Sequence, residues 1–435
     1  MARLEYASDG RLLFTKQMKK EYTILMPMML PVHFSMMQKI LAAEGYKIEL
    51  LTSTDSQIIN EGLKSVHNDT CYPALLVIGQ LLDAIKSGKY DKDKLALVIT
   101  QTGGGCRASN YIHLLRKALK KNGLDNIPVI SFNTLGMEKN PGFKLSLKIV
   151  IRLISAVIYG DLLMLLANQL RPYEVNKGQT DKLVESWCER LLKTKLSIFD
   201  IKNTIPQICK DFDKIEISST QKVKVGIVGE IYVKFAPLGN NNLERFLQSE
   251  DCEVVVPGLI DFIIYCADSH IVDTQFFGMK PIGGFVSKLL KSFFIHMQNI
   301  VIDCVRGFRK FRAPASFEQI KAMAGEYLSA GNKMGEGWLL TGEMVELINS
   351  GVENIICTQP FGCLPNHIVG KGMIRKIREN HSSANIVAID YDAGATKINQ
   401  ENRIKLMLSV AKQKLSQKEQ LSFTAEERQP ADSAV

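Results

Sequence analysis

Cys357-Thr-Gln-Pro-Phe-Gly-Cys363, continued by Leu364-Pro-Asn-His367, lies between the strand-like run 352–356 and a helical stretch, 368–378. Two thiols therefore fall where a strand ends and a helix begins. In open α/β sheets that edge is where ligands bind. A helix N-terminus also favours an anion, so the position is expected to favour thiolate, the form that ligates metal.

Residues 95–106 repeat the plan. An apolar run, 95–99, leads through Thr100-Gln-Thr-Gly-Gly-Gly-Cys106 into a helical stretch, 107–121. Both loops open on Thr-Gln and set a Cys ahead of a helix. A further apolar run follows at a matching offset in each case, 127–132 and 386–390. The spacing points to an internal duplication of a strand–loop–helix–strand unit. A third thiol, Cys71, lies in Asn68-Asp-Thr-Cys-Tyr-Pro73. There Asp69 or Thr70 suits an N-cap and Pro73 a first helical turn.

Outward from these loops the pattern alternates. Strands are expected at 22–26 and 47–51, a helix between them and another at 73–87; residues 143–200 read as helical, with Trp187 and Leu191-Leu192 as core. The alternation restarts at 223–228 and 252–256. A long helix is expected at 289–311, another opening at Gly335-Glu-Gly-Trp338, and a closing one at 398–411. Strands separated by helices imply parallel sheets covered on both faces. The fold class is thus α/β, with two Rossmann-like domains, 21–212 and 220–412. Additional helical segments, a polar extension at 1–20 and a disordered tail at 413–435 complete the division, and the four loop cysteines are expected in the inter-domain cleft.

The length of 435 residues suits two or three domains. No signal peptide is read at the start, and the nine cysteines argue for ligation or burial rather than disulfides in a cytoplasmic protein. The apolar stretch 149–170 contains Arg152 and Asp161, which favours a buried helix over a membrane span. A net charge of +9 without an Arg/Lys tract interleaved with aromatics argues against nucleic acid.

Cys71, Cys106, Cys357 and Cys363 form the candidate set of cluster or metal ligands. Burial competes for each, since free Cys is commonly a core residue; it is the preferred reading for Cys188, Cys209, Cys252, Cys266 and Cys304. Tight Cys-x-x-Cys zinc knuckles are missing, and thiols from distant loops suit an iron–sulfur cluster better. The Gly103–Gly105 run lacks the Gly-Lys-Ser/Thr ending of a nucleotide loop, which argues against ATP hydrolysis by this chain. Glu230, Glu336 and Glu343 stand between acid–base and capping roles. The basic stretches 107–121 and 371–378 stand between a solvated face and docking of an acidic partner.

Taken together, Asn68-Asp-Thr-Cys-Tyr-Pro73, Gly103-Gly-Gly-Cys-Arg-Ala-Ser-Asn110, Gly335-Glu-Gly-Trp338 and the 357–367 stretch resemble the 2-hydroxyacyl-CoA dehydratase superfamily. The likeness covers about residues 20–410 and lies nearest the activase-related branch, which is related to double-cubane cluster proteins. It implies Rossmann-like domains with an iron–sulfur cluster between them, ligated at Cys71, Cys106 and the Cys357/Cys363 loop. The cluster would be [4Fe–4S], with a double cubane as the alternative. It also implies an anaerobic setting, a dimer, and an ATP-dependent activator that carries its own cluster and delivers low-potential electrons. The leading function is electron acceptance and transfer to a substrate or partner. The alternatives are a lyase component that dehydrates a 2-hydroxyacyl-CoA through a radical, and a cluster-free scaffold. A four-thiolate cluster would leave no iron open to substrate, which sets the first reading against the second.

Overall fold

In the first half of the chain, β1 (Thr23–Pro27), β2 (Lys47–Leu51), β3 (Leu95–Thr100) and β4 (Val129–Phe132) form a parallel sheet of order β2-β1-β3-β4. In the second, β5 (Lys224–Gly229), β6 (Glu253–Val255), β7 (Asn354–Pro360) and β8 (Asn385–Tyr391) repeat that order as β6-β5-β7-β8. The computed structural model describes residues 3–67, 69–101, 104–133, 138–194, 196–278 and 281–426. Asn68, Thr102 and Gly103, quoted above, lie outside them.

Each sheet turns back on itself once. The chain runs from β1 outward to β2, then returns to place β3 on the other side of β1; β5, β6 and β7 do the same. A switch point therefore opens at the C-terminal ends of β1/β3 and of β5/β7, where such sheets take ligands. The inner strands are apolar because helices cover both faces. All of β3 except Thr100 is buried, and so is all of β7 except Asn354.

One difference from the sequence reading matters for the site. β7 does not stop at residue 356. It pairs with β8 through Pro360↔Tyr391, and Cys357 lies opposite Val228 and Ala388. The sequence reads Thr-Gln-Pro as loop, but β8 pairs with all three residues and β5 with Thr358, which holds them extended. Only Phe361 and Gly362 separate the strand from Cys363.

Other differences are local. Residues 143–200 contain two long helices, Leu147–Leu170 and Gln179–Lys193, with Trp187 and Leu191 buried. Leu147–Leu170 is apolar enough to cross a membrane, with hydropathy 2.1, but 67% of its most apolar window is buried within the protein. It packs on Pro31–Ala43 as a core helix. The helix expected at 289–311 spans Pro281–Arg306, and Leu259–Phe276 precedes it without a clear sequence signal. That helix buries Asp261 and Asp268, pairing them with Gln298 and with Lys291 and Lys321, so its polar residues do not mark a solvent face. Within the polar extension read at 1–20, Leu12, Phe14 and Met18 are buried, and Thr15 caps the Lys16–Glu21 helix. The closing helix runs Lys397–Glu426, so 413–426 continue it where a disordered tail was expected; 427–435 lie outside the described residues.

Candidate thiol and carboxyl site

Cys71 is itself the N-cap of the Tyr72–Lys86 helix, in place of Asp69 or Thr70. Its Sγ lies 3.1 Å from the Tyr111 hydroxyl. Cys106 precedes a short 3-10 turn, Arg107–Asn110, that feeds the Tyr111–Lys121 helix. Cys363 follows β7 and is 4% exposed. Its carbonyl accepts from the His367 N–H, which begins a wide helical turn, Asn366–Gly370.

Direct contacts draw these three loops together. The Tyr72 N–H donates to the Phe361 carbonyl over 3.0 Å, which ties the Cys71 loop to the loop of Cys363. Gly362, between them, has φ +73°, and a Cβ there would sit 3.0 Å from the Cys71 Cα. Only glycine meets both demands without strain. The Arg107 guanidinium donates to the Asp69 carbonyl over 3.0 Å and so fixes the Cys106 loop to the Cys71 loop. From the second half, the Gly335–Gly337 turn closes over Cys106. A Cβ on Gly335 would be 4.0 Å from the Cys106 Sγ, and Met334 packs against Gly105.

That turn delivers Glu336, which is 7% exposed. Its Oε1 accepts from the Ile231 N–H at 2.9 Å. Glu230, at the end of β5, caps the Ile231–Phe235 helix by accepting from the Val233 N–H at 2.9 Å. Both residues cap backbone, and both bear on the thiols. The Cys363 thiol is raised by burial, then by Glu336 and Glu230, and also by Cys71. Burial, then Glu230, push Cys71 up to about 12, Cys106 adding to the effect and Tyr111 opposing it. Cys106 is raised by burial, with Glu336 and Glu230 adding. Burial, then Glu336, raise Glu230; burial raises Glu336.

These directions reverse the expectation that helix starts would hold thiolates. Desolvation exceeds the helix-end field here. Burial therefore favours the protonated forms of these groups over what each would hold in water. Three thiols and two carboxyls thus lie close enough for each to bear on others electrostatically.

Cys357 belongs elsewhere. Its Sγ donates to Asn366 Oδ1 at 3.5 Å, and Asn366 Nδ2 donates to the Thr358 carbonyl at 2.7 Å. Around it lie Val228, Val345, Ile355 and Ile377, a small core under β7. Burial pushes it up to about 12, and the charges that bear on it are Lys371, Asp390 and Glu343 rather than the other thiols. The structure thus brings together three of the four candidate thiols.

In the sequence Glu230 and Glu336 stand between acid–base and capping roles, and the Gly335-Glu-Gly337 turn is the one local signal that sets Glu336 apart. Cys266, expected as a core thiol, has an exposed side chain on Leu259–Phe276. Glu343, 3% exposed, pairs with the buried Lys234 at 2.8 Å. It lines a small cavity shared with Glu336 and a larger apolar one that contains Asp261 and Glu346. Burial, then Glu343, push Asp261 up to about 8. In the basic stretches Arg116 pairs with Glu138, Lys371 with Asp390, and Arg375 and Lys376 with Glu379, while Arg107, Lys121 and Arg378 donate to backbone carbonyls. Among the described residues, no group of three or more His, Cys, Asp or Glu stands ready to hold a single metal ion.

Searched against protein-family models and against curated proteins, the chain matches none.

Proposed function

We propose that this chain is an iron–sulfur protein that holds a [4Fe–4S] cluster on Cys71, Cys106 and Cys363, between its two Rossmann-like halves. What supports this reading is the set of contacts joining the loops of Cys71, Cys106 and Cys363: Tyr72 N–H to the Phe361 carbonyl, Arg107 to the Asp69 carbonyl, and the close approach of Gly362 to Cys71 and of Gly335 to Cys106. Bound there, the cluster would supply a one-electron couple whose low potential suits thiolate ligation and restricted solvent access. In keeping with the 2-hydroxyacyl-CoA dehydratase likeness, the electron donor is an ATP-dependent activator with its own cluster, and the acceptor is a bound substrate or a further partner. The chain's own residues bury the thiols, hold two acid groups beside them and fix the loops through Gly362 and Gly335.

The separation of Cys357 from the set favours a second reading. Three thiolates leave one cluster iron without a cysteine from the quoted loops, so an oxygen of a 2-hydroxyacyl-CoA has a place to bind and the chain would be a lyase component. A double cubane needs further thiolates, and nothing in the site favours it over a single cluster.

Anaerobic reconstitution with iron and sulfide tests the first reading. It should give iron and sulfide in a ratio near one, and an EPR signal on reduction. A folded protein that takes up neither would leave the cluster-free scaffold in its place. For the second reading, the reduced-state signal should change when a 2-hydroxyacyl-CoA is added; an unaltered signal across a series of such thioesters would exclude it.

A further inference from the structure

The helices Leu259–Phe276 and Pro281–Arg306 pack as an antiparallel hairpin. Lys291 reaches Asp268 at 2.8 Å, and Gln298 reaches Asp261 at 2.6 Å. The second helix has two apolar faces. One, with Phe294 and Met297, is buried against the body of the protein. The other is not: Phe285, Leu289 and Phe293 recur every four residues, Val286 and Leu290 lie beside them, and all five are 38–65% exposed. At the hairpin tip Phe276 and Phe277 are each 59% exposed. The charged residues within 285–293 are Lys288 and Lys291, and Lys291 turns away to Asp268 and Glu318.

We propose that this face is the interface with a second copy of the chain, formed by the same helix packing antiparallel on itself across a two-fold axis. Seven apolar side chains exposed to this degree present roughly 550–750 Å² at roughly 150–200 Å² each. That lies at or above the upper end of the roughly 300–600 Å² of the largest patch on a typical monomer and approaches the roughly 800 Å² that each partner of a stable dimer contributes. A stripe with one outward lysine at its edge is self-complementary, as a two-fold contact requires. A membrane-lying helix instead pairs its apolar face with a row of cations; among the described residues this face is edged by Lys288, with Lys333 over the Phe277 ring at 6.0 Å.

Sedimentation of the full chain under anaerobic, reducing conditions tests the proposal. The wild-type protein should be a dimer at micromolar concentration. Leu289→Glu with Phe293→Glu should be a monomer with an unchanged circular dichroism spectrum. Phe199→Glu, at an exposed aromatic outside this stripe, should remain dimeric. If the doubly charged variant fails to fold, Leu289→Ala with Phe293→Ala should still weaken dimerisation by roughly 100-fold. A monomeric wild-type protein, or a charged variant that still dimerises, overturns the proposal. So does a wild-type monomer that floats with anionic phospholipid vesicles, which would assign the face to lipid.

Discussion

The ends of β3 and β7 are built on one plan and furnished differently. At the first sheet's edge the thiols of Cys71 and Cys106 meet a phenol, Tyr111, and a guanidinium, Arg107, engaged with backbone. At the second sheet's edge one thiol, Cys363, stands in front of buried acids: Glu230, Glu336, the Glu343–Lys234 pair and, deeper, Asp261. One half supplies most of the sulfur and the other most of the carboxylate. Two sheets of the same strand order thus carry unlike residues at corresponding edges.

Breaking the acidic edge should have the largest effect. Lys234→Met leaves Glu343 buried without its partner, and the cost should be about 3–5 kcal/mol, read as a lowered urea midpoint. Adding Glu343→Leu should recover most of the loss, because a matched apolar pair needs no counter-charge. Gly362→Val attacks the contact between the edges, where a positive φ meets the Cys71 backbone. It should cost roughly 1–3 kcal/mol and lower iron uptake in the same protein.

A pH series sharpens the comparison further. Asp261 ionises near 3.8 when unfolded but at about 8 when buried in the folded chain. Between those values the folded state holds a proton that the unfolded state has lost. Stability should therefore fall as pH rises through that window, by up to about 1.4 kcal/mol per pH unit from this group. Melting temperatures of Asp261→Asn should lack that part of the slope, and a profile identical to wild type would place the titration elsewhere. Smallest should be Tyr111→Phe on the sulfur-bearing edge. Loss of its contact with Cys71 should cost about 1 kcal/mol and leave the Asp261 slope intact.

Much of this was legible in the sequence where pattern and physics agree. Alternating apolar runs located all eight strands to within a few residues, and the Gly-Gly-Gly-Cys and Pro-Phe-Gly-Cys loops fell at strand ends next to switch points. What was not legible depended on partners far along the chain. Cys357 read as a loop thiol because Thr-Gln-Pro looks like a turn, but pairing to β5 and β8 extends the strand past it. Leu259–Phe276 was missed because Asp261 and Asp268 are buried by side chains more than twenty residues away. The thiols themselves were expected to ionise from their local helix starts, and burial by both halves reverses that.

Iron and acid-labile sulfide per chain, measured after anaerobic reconstitution of Cys71→Ser, Cys106→Ser, Cys363→Ser and Cys357→Ser beside wild type, test the three-thiol site most directly. The account predicts about four of each in wild type and in Cys357→Ser, as one [4Fe–4S] cluster requires, and a marked loss in the other three. Retention of the cluster in Cys363→Ser together with its loss in Cys357→Ser would contradict it.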